Sequence, residues 1–213
     1  MKRKGIIFGF LLLMTSGILL SSCIKENNGK TIALIGDEYY IEDILKMIPD
    51  SLQDKFETLF DGIPQGAIPD SLGDSCSYVV SPNVLVSTNL WDMTSPIPQP
   101  DVYMRFSKQH NGIVVMELAE TTLQKTDTAY VMGNNGDFTV YYVEEKHLDL
   151  DIYVKRGVVM CGKVADNGLS DFRMVFVVLE AEGEQAPSPG SYYYYEDSDG
   201  VAERCEWPWA DNP

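Results

Sequence analysis

Carboxylates recur near the C-terminus in an order that suits a hard cation. Asp197, Asp199, Glu203 and Glu206, with Gly200 to turn the chain, set oxygen donors at calcium-loop spacing, while Tyr195 occupies the place of a further anchoring acid. The alternative is an acidic turn after a last strand. Tyr192 to Tyr195 precede this segment and Trp207 and Trp209 follow it, so aromatic surface is concentrated here. Exposed rings stack on sugars or peptides at low entropy cost, which makes Tyr192, Tyr194, Trp207 and Trp209 candidate ligand contacts, unless they fill a core and seal its end. Catalytic patterns are scarce. Gly73-Asp74-Ser75 has the composition of one hydrolase nucleophile block, but a proline turn precedes it and neither histidine has an aspartate three residues before it. Glu144 and His147 share a metal-binding spacing that works on a helix; on a strand, an offset of three turns them to opposite faces. Without a Gly-x-Ser-x-Gly, dinucleotide or phosphate-loop motif, the expectation is a non-catalytic protein with no cofactor, calcium being the one candidate.

The elements that would position these residues begin after a leader. Residues 1–22 open with Lys2, Arg3 and Lys4, continue through an apolar stretch and end in small residues, as a secretory signal peptide does. Leu20-Ser21-Ser22-Cys23 resembles a bacterial lipobox, which implies cleavage before Cys23 and acylation, palmitate included, of that cysteine. Several acyl chains satisfy the two-signal requirement for stable anchoring. Ile24 is not the aspartate that retains some lipoproteins in the inner membrane, so the expected location is the outer membrane, with the body periplasmic or surface-facing.

The whole chain has 16 Lys and Arg against 32 Asp and Glu, a formal charge of −16. Cleavage would remove three cations and no acids, leaving 191 residues with 13 cations against 32 acids, or −19. Such a charge repels phosphate backbones and anionic lipid alike, which excludes nucleic acid as a partner and leaves the acyl group as the contact with the bilayer. The expected partners are a glycan, a protein or a small apolar ligand. With 45% hydrophobic residues, disorder is also excluded.

Residues 23–38 read as the lipidated N-terminus and a tether, with Ile32 to Ile35 as an alternative edge strand, and residues 39–213 as one β-rich domain. Within it, 39–61 carry apolar residues at helical spacing, interrupted by Pro49 and ended by Gly62: a small helical hairpin. From Cys76 to Cys205 the period becomes two. Apolar runs at 78–87, 102–107, 113–118, 128–132, 138–143, 148–154, 158–164, 172–179 and 191–195 are separated by Gly- and Asn-rich turns, Arg156-Gly157 among them. Short links imply an antiparallel meander, either an up-and-down β-barrel or, second, a two-sheet β-sandwich. Residues 172–179 are apolar on both faces, so the helical hairpin is expected to cover one of them. If Cys23 is acylated, Cys76, Cys161 and Cys205 remain. Cys161 lies in an apolar run, and a closed meander brings first and last strands together, making Cys76 and Cys205 the candidate disulfide.

The order of lipobox, helical segment and meander resembles the calycin-like (lipocalin-like) lipoproteins of Bacteroidetes, over roughly residues 75–200. That resemblance implies an interior ligand cavity. Two functions follow as expectations: a lipid-anchored binding or accessory module of the cell envelope, or a carrier of a small apolar ligand inside the barrel.

Overall fold

The computed structural model describes residues 76–110, 112–120, 123–134, 136–149 and 151–209, together with 24–27, 30–33, Thr58, Phe60 and Leu72. The expected signal peptide, Cys23 and the expected helical hairpin, apart from helical Thr58 and Phe60 in a turn, lie outside the described residues. In the expected tether, β1 (Ile24–Asn27) and β2 (Lys30–Ala33) pair as an antiparallel sheet of their own.

The body is mainly β: an antiparallel sheet of 11 strands. These are β3 (Cys76–Val80), β4 (Asn83–Thr88), β5 (Ile97–Pro98), β6 (Val102–His110), β7 (Ile113–Glu120), β8 (Leu123–Asn134), β9 (Asp137–Asp149), β10 (Ile152–Ala165), β11 (Gly168–Glu182), β12 (Tyr192–Asp197) and β13 (Val201–Cys205). Strands β6 to β11 form the expected meander, each paired with the next. Pairing of β6 with β3, β3 with β13 and β13 with the first residues of β11 returns the ladder to its start. The ring is partial. Only Gly168 to Ser170 of β11 pair with β13; from Arg173 to Val177 the same strand pairs with β12, which leads to β4 and β5.

The split occurs where the first predicted strand breaks in two. Pro82 has no N–H to continue the ladder, and a turn at Ser81-Pro82 separates β3 from β4. Asp197, buried at the matching turn between β12 and β13, accepts the Ser81 N–H at 3.0 Å and the Asp199 N–H at 3.2 Å. One carboxylate thereby ties the two turns together.

Two expected turns and strands move. Arg156-Gly157 is not a turn: Gly157 pairs with both Val143 and Val177 in mid-strand, because the apolar runs on either side of it belong to one 14-residue strand with a register shift at Lys155/Arg156. The hairpin instead falls between Asp149 and Ile152, cutting the run 148–154. Strand β13, expected as an acidic turn or calcium loop, closes the ring.

The interior is filled. Tyr78, Met104, Phe106, Met116, Phe138, Tyr142, Met160, Phe172 and Met174 form one buried cluster inside the ring. Leu72 joins it at the end of β3 remote from the split, where the Tyr78 hydroxyl donates to the Leu72 carbonyl at 2.5 Å. A second cluster lies on the outer face of the sheet and comprises Phe60, Met132, Tyr141, Val159, Cys161, Val175, Val177, Tyr192 and Tyr194. Phe60 meets Tyr194 edge-on with centroids 5.8 Å apart, and Arg173 donates to the Phe60 carbonyl at 2.6 Å. Both faces of β11 are thus covered, and Phe60 takes part in covering the outer one.

Candidate functional site

Strand parity places a charged pair inside the barrel. On β9, Phe138, Val140 and Tyr142 face inward, so Glu144 does also; on β10, Val158 and Met160 face inward, so Arg156 does. Glu144 and Arg156 are direct cross-strand partners and form an ion pair at the split end of the ring. The Arg156 guanidinium lies over the Phe176 ring at 4.6 Å, and Phe176 meets Tyr195 edge-on at 5.6 Å. A cavity of about 110 Å³ opens beside this group, bounded by β4, β6, β7, β9, β10, β11 and β12. We refer to it as the mouth.

Several polar atoms around the mouth are buried without a partner. They are Asn83 Oδ1, the Tyr142 hydroxyl and Arg156 Nε. Asn83 Nδ2 donates to the Pro100 carbonyl at 2.9 Å, which fixes the amide and turns its oxygen away from that contact. The Gln99 N–H donates to the Asn83 carbonyl at 2.9 Å, so the same residue stitches β4 to the segment entering β6. Burial holds the Tyr142 hydroxyl well above the ordinary tyrosine range, reinforced by Glu144, Asp127 and Glu120 and opposed by Arg156. Tyr142 lies directly beneath the charged pair and remains a neutral donor. Burial also pushes Tyr195 up to about 12, with Arg156 opposing.

The residues expected to carry function from sequence are placed differently. Asp197, Asp199, Glu203 and Glu206 do not converge: Asp197 accepts the N–H groups of Ser81 and Asp199 and Asp199 accepts that of Val201, while Glu203 and Glu206 are exposed along and beyond β13. Among the described residues, no three His, Cys, Asp or Glu side chains gather as a metal-holding group. Tyr192 and Tyr194 are buried against Phe60 rather than presented to a ligand, and Tyr194 donates to Glu196. Their alternates on the other face matter more: Tyr195 lines the mouth, and Tyr193 meets exposed Trp91 at 6.2 Å. Trp207 and Trp209 neither seal the barrel nor line the mouth. They pack on β6, Trp209 edge-on to Tyr103 at 5.3 Å and Trp207 beneath Arg105 at 4.9 Å, with Arg105 paired to Glu117.

The Cys76–Cys205 disulfide is not formed. Strands β3 and β13 are neighbours as expected, but Cys205 stands opposite Ser77, so successive parity turns Cys76 and Cys205 to opposite faces. Cys76, Cys161 and Cys205 are free thiols. Burial pushes the Cys161 thiol up to about 12, as befits a core residue. Glu144 and His147 diverge as strand geometry requires: Glu144 is buried inside, whereas His147 is exposed and rests on Tyr153 at 5.5 Å.

Sequence reasoning missed Arg156 and Asn83, and it weighed Glu144 only as a partner of His147. The available signal was parity: Glu144 continues the apolar face 138–140–142, and a charge in that register marks either a strand end or a site. Arg156 was hidden by the adjacent glycine. The chain matches no family model, no curated protein and no solved structure.

Proposed function

We propose that this chain is a lipid-anchored, non-catalytic binding module of the bacterial cell envelope, held to the outer membrane through acylated Cys23, with the barrel mouth as its contact site. The observation that carries this reading is the Glu144–Arg156 pair set at the open end of an otherwise apolar, filled barrel. Packed hydrophobic side chains would stabilise that position equally well or better, so a buried pair beside a cavity is better explained by recognition than by stability. The carrier alternative has less support. Drug-sized ligands occupy roughly 300–1,000 Å³, whereas the mouth holds about 110 Å³ and Phe106, Met104 and Phe138 fill the space below it.

The test uses the full chain produced in a bacterial host and extracted in mild detergent. Metabolic labelling with palmitate is expected to mark the protein and to be lost in Cys23→Ala. Native mass spectrometry after incubation with envelope extract is expected to show a small bound molecule that is released unchanged. A protein without palmitate overturns the anchored reading. A bare mass overturns the small-molecule site, and a bound molecule released as a product moves the chain to the enzymes.

A further inference from the structure

The mouth presents a particular balance of uncommitted groups. Arg156 is neutralised by Glu144. Among the described residues, the other charged side chains lining the cavity are Lys146, on β9, and Glu120, at the end of β7, and neither makes a hydrogen bond or ion pair with another described residue. Asn83 Oδ1 adds a buried acceptor whose orientation is fixed by the Pro100 contact. Lys146 stands opposite Val154, diagonal to Arg156 on the inward face of the β9–β10 ladder, so both cations lie on that wall. Strand β8 separates this wall from β7 and Glu120, and Asn83 lies beyond β11 and β12 on the other side. Cation and acceptors therefore stand on different parts of the rim.

Such a set discriminates by charge distribution. A simple anion gains from Lys146 and is repelled by Glu120; a simple cation meets the reverse. A molecule carrying both charges gains from each, at a rim where Lys146 is half-buried and Glu120 exposed. The volume admits only a small molecule, and Phe176, Tyr195 and Leu118 supply an apolar wall for a short side chain.

We propose that the mouth binds a small free α-amino acid, its carboxylate directed to Lys146 and the Arg156 side of the cavity and its ammonium to Glu120 and Asn83 Oδ1. This assignment rests on the binding-module reading above and gives that module a ligand class. It also accounts for retention of the Glu144–Arg156 pair, which keeps Arg156 extended over Phe176 as part of the rim.

The experiment is a calorimetric titration of the full-length, detergent-extracted protein with glycine, L-alanine and L-serine, and in parallel with acetate and methylammonium. Saturable binding of at least one amino acid is expected, with acetate and methylammonium weaker by about tenfold or more, the effect of one lost charge-assisted contact. Lys146→Gln and Glu120→Gln are each expected to weaken amino-acid binding by about tenfold or more while leaving the ligand-free melting temperature unchanged. Acetate or methylammonium binding as tightly as the amino acids overturns the proposal, as does unchanged affinity in both variants. The two readings separate: a different molecule retained in native spectra and lost in Lys146→Gln refutes the amino-acid class and keeps the binding module. Absence of every bound or titrating small molecule refutes both.

Discussion

Closure of the ring depends on one backbone approach, and Gly168→Ala tests it. A Cβ at this position would lie 2.2 Å from the Ala202 carbonyl oxygen, 3.0 Å from its carbon and 3.1 Å from Glu203 Cα. All three are backbone atoms, so no side-chain rotation relieves the overlap and β13 must move away from β11. The ladder at stake is short, Gly168↔Glu203, Leu169↔Ala202 and Ser170↔Val201, and Leu169 and Ala202 are fully buried beneath it. Loss of two backbone hydrogen bonds at about 1 kcal/mol each, partial exposure of Leu169, worth about 1.5 kcal/mol, and a positive-φ backbone term of about 1 kcal/mol give about 4–5 kcal/mol of destabilisation. Gly200→Ala is the control. It also sits in the left-handed region, at φ +84°, but nothing lies within 4 Å of its added methyl, so only the backbone term of about 1 kcal/mol applies. Urea unfolding followed by far-ultraviolet circular dichroism and tyrosine and tryptophan emission measures both. Equal destabilisation by the two substitutions would refute the claim that β11 and β13 close the ring by close approach at Gly168.

Three further outcomes follow from the structure. Removing one member of the buried ion pair, Arg156→Met, is expected to cost about 2–4 kcal/mol, reduced from a fully buried pair because Arg156 is partly exposed, and the double change Arg156→Met/Glu144→Leu to recover most of it in the same unfolding assay. Asp197 has its pKa raised to about 6, chiefly by burial and also by the neighbouring Asp199 carboxyl, while the N–H groups of Asp199 and Ser81 oppose the rise. Because the folded state holds this proton more tightly than the unfolded chain, stability is expected to be highest below about pH 4 for this group and to fall as pH rises to about 6. Asp197→Asn, which keeps an acceptor for Ser81, is expected to flatten that part of a stability-against-pH curve. Alkylation of the native protein at pH 8.5 is expected to reach Cys76 and Cys205, which are partly accessible, and to spare Cys161 until urea is added. Mass mapping showing Cys161 modified first, or a Cys76–Cys205 bridge, would contradict the assigned faces.

Much of the architecture follows from local chemistry. Period-two runs and the turns at His110-Asn111-Gly112, Asn134 to Asp137 and Asp166-Asn167-Gly168 mark strand and reversal alike, since Gly and Asn adopt the backbone angles tight reversals need. Gly112, Gly136 and Gly168 all take positive φ in the fold. The antiparallel meander and the adjacency of its first and last strands were legible on that basis, as was the double covering of β11. At Arg156-Gly157 the same rule misleads: a glycine between two strong strand segments is overridden by the ladder on both sides, and pairing with Val143 and Val177 is a long-range fact that no local window contains.

The functional residues divide along the same line. Tyr192 and Tyr194, Trp207 and Trp209 attract attention by composition, yet packing decides that the first two fill a core under Phe60 and the others lie on β6. The carboxylates at Asp197 and Asp199 have the spacing of a cation loop, but their oxygens are taken up by the Ser81, Asp199 and Val201 N–H groups where two turns meet. Conversely, Arg156, Glu144, Lys146, Glu120 and Asn83 are scattered over 74 positions of sequence and carry no motif. Strand identity and parity could be read from residue types, because the pleat repeats every two residues. Which strands become neighbours, where the ring splits, and therefore which charges share one mouth, depend on pairings between distant segments that only the closed fold brings about.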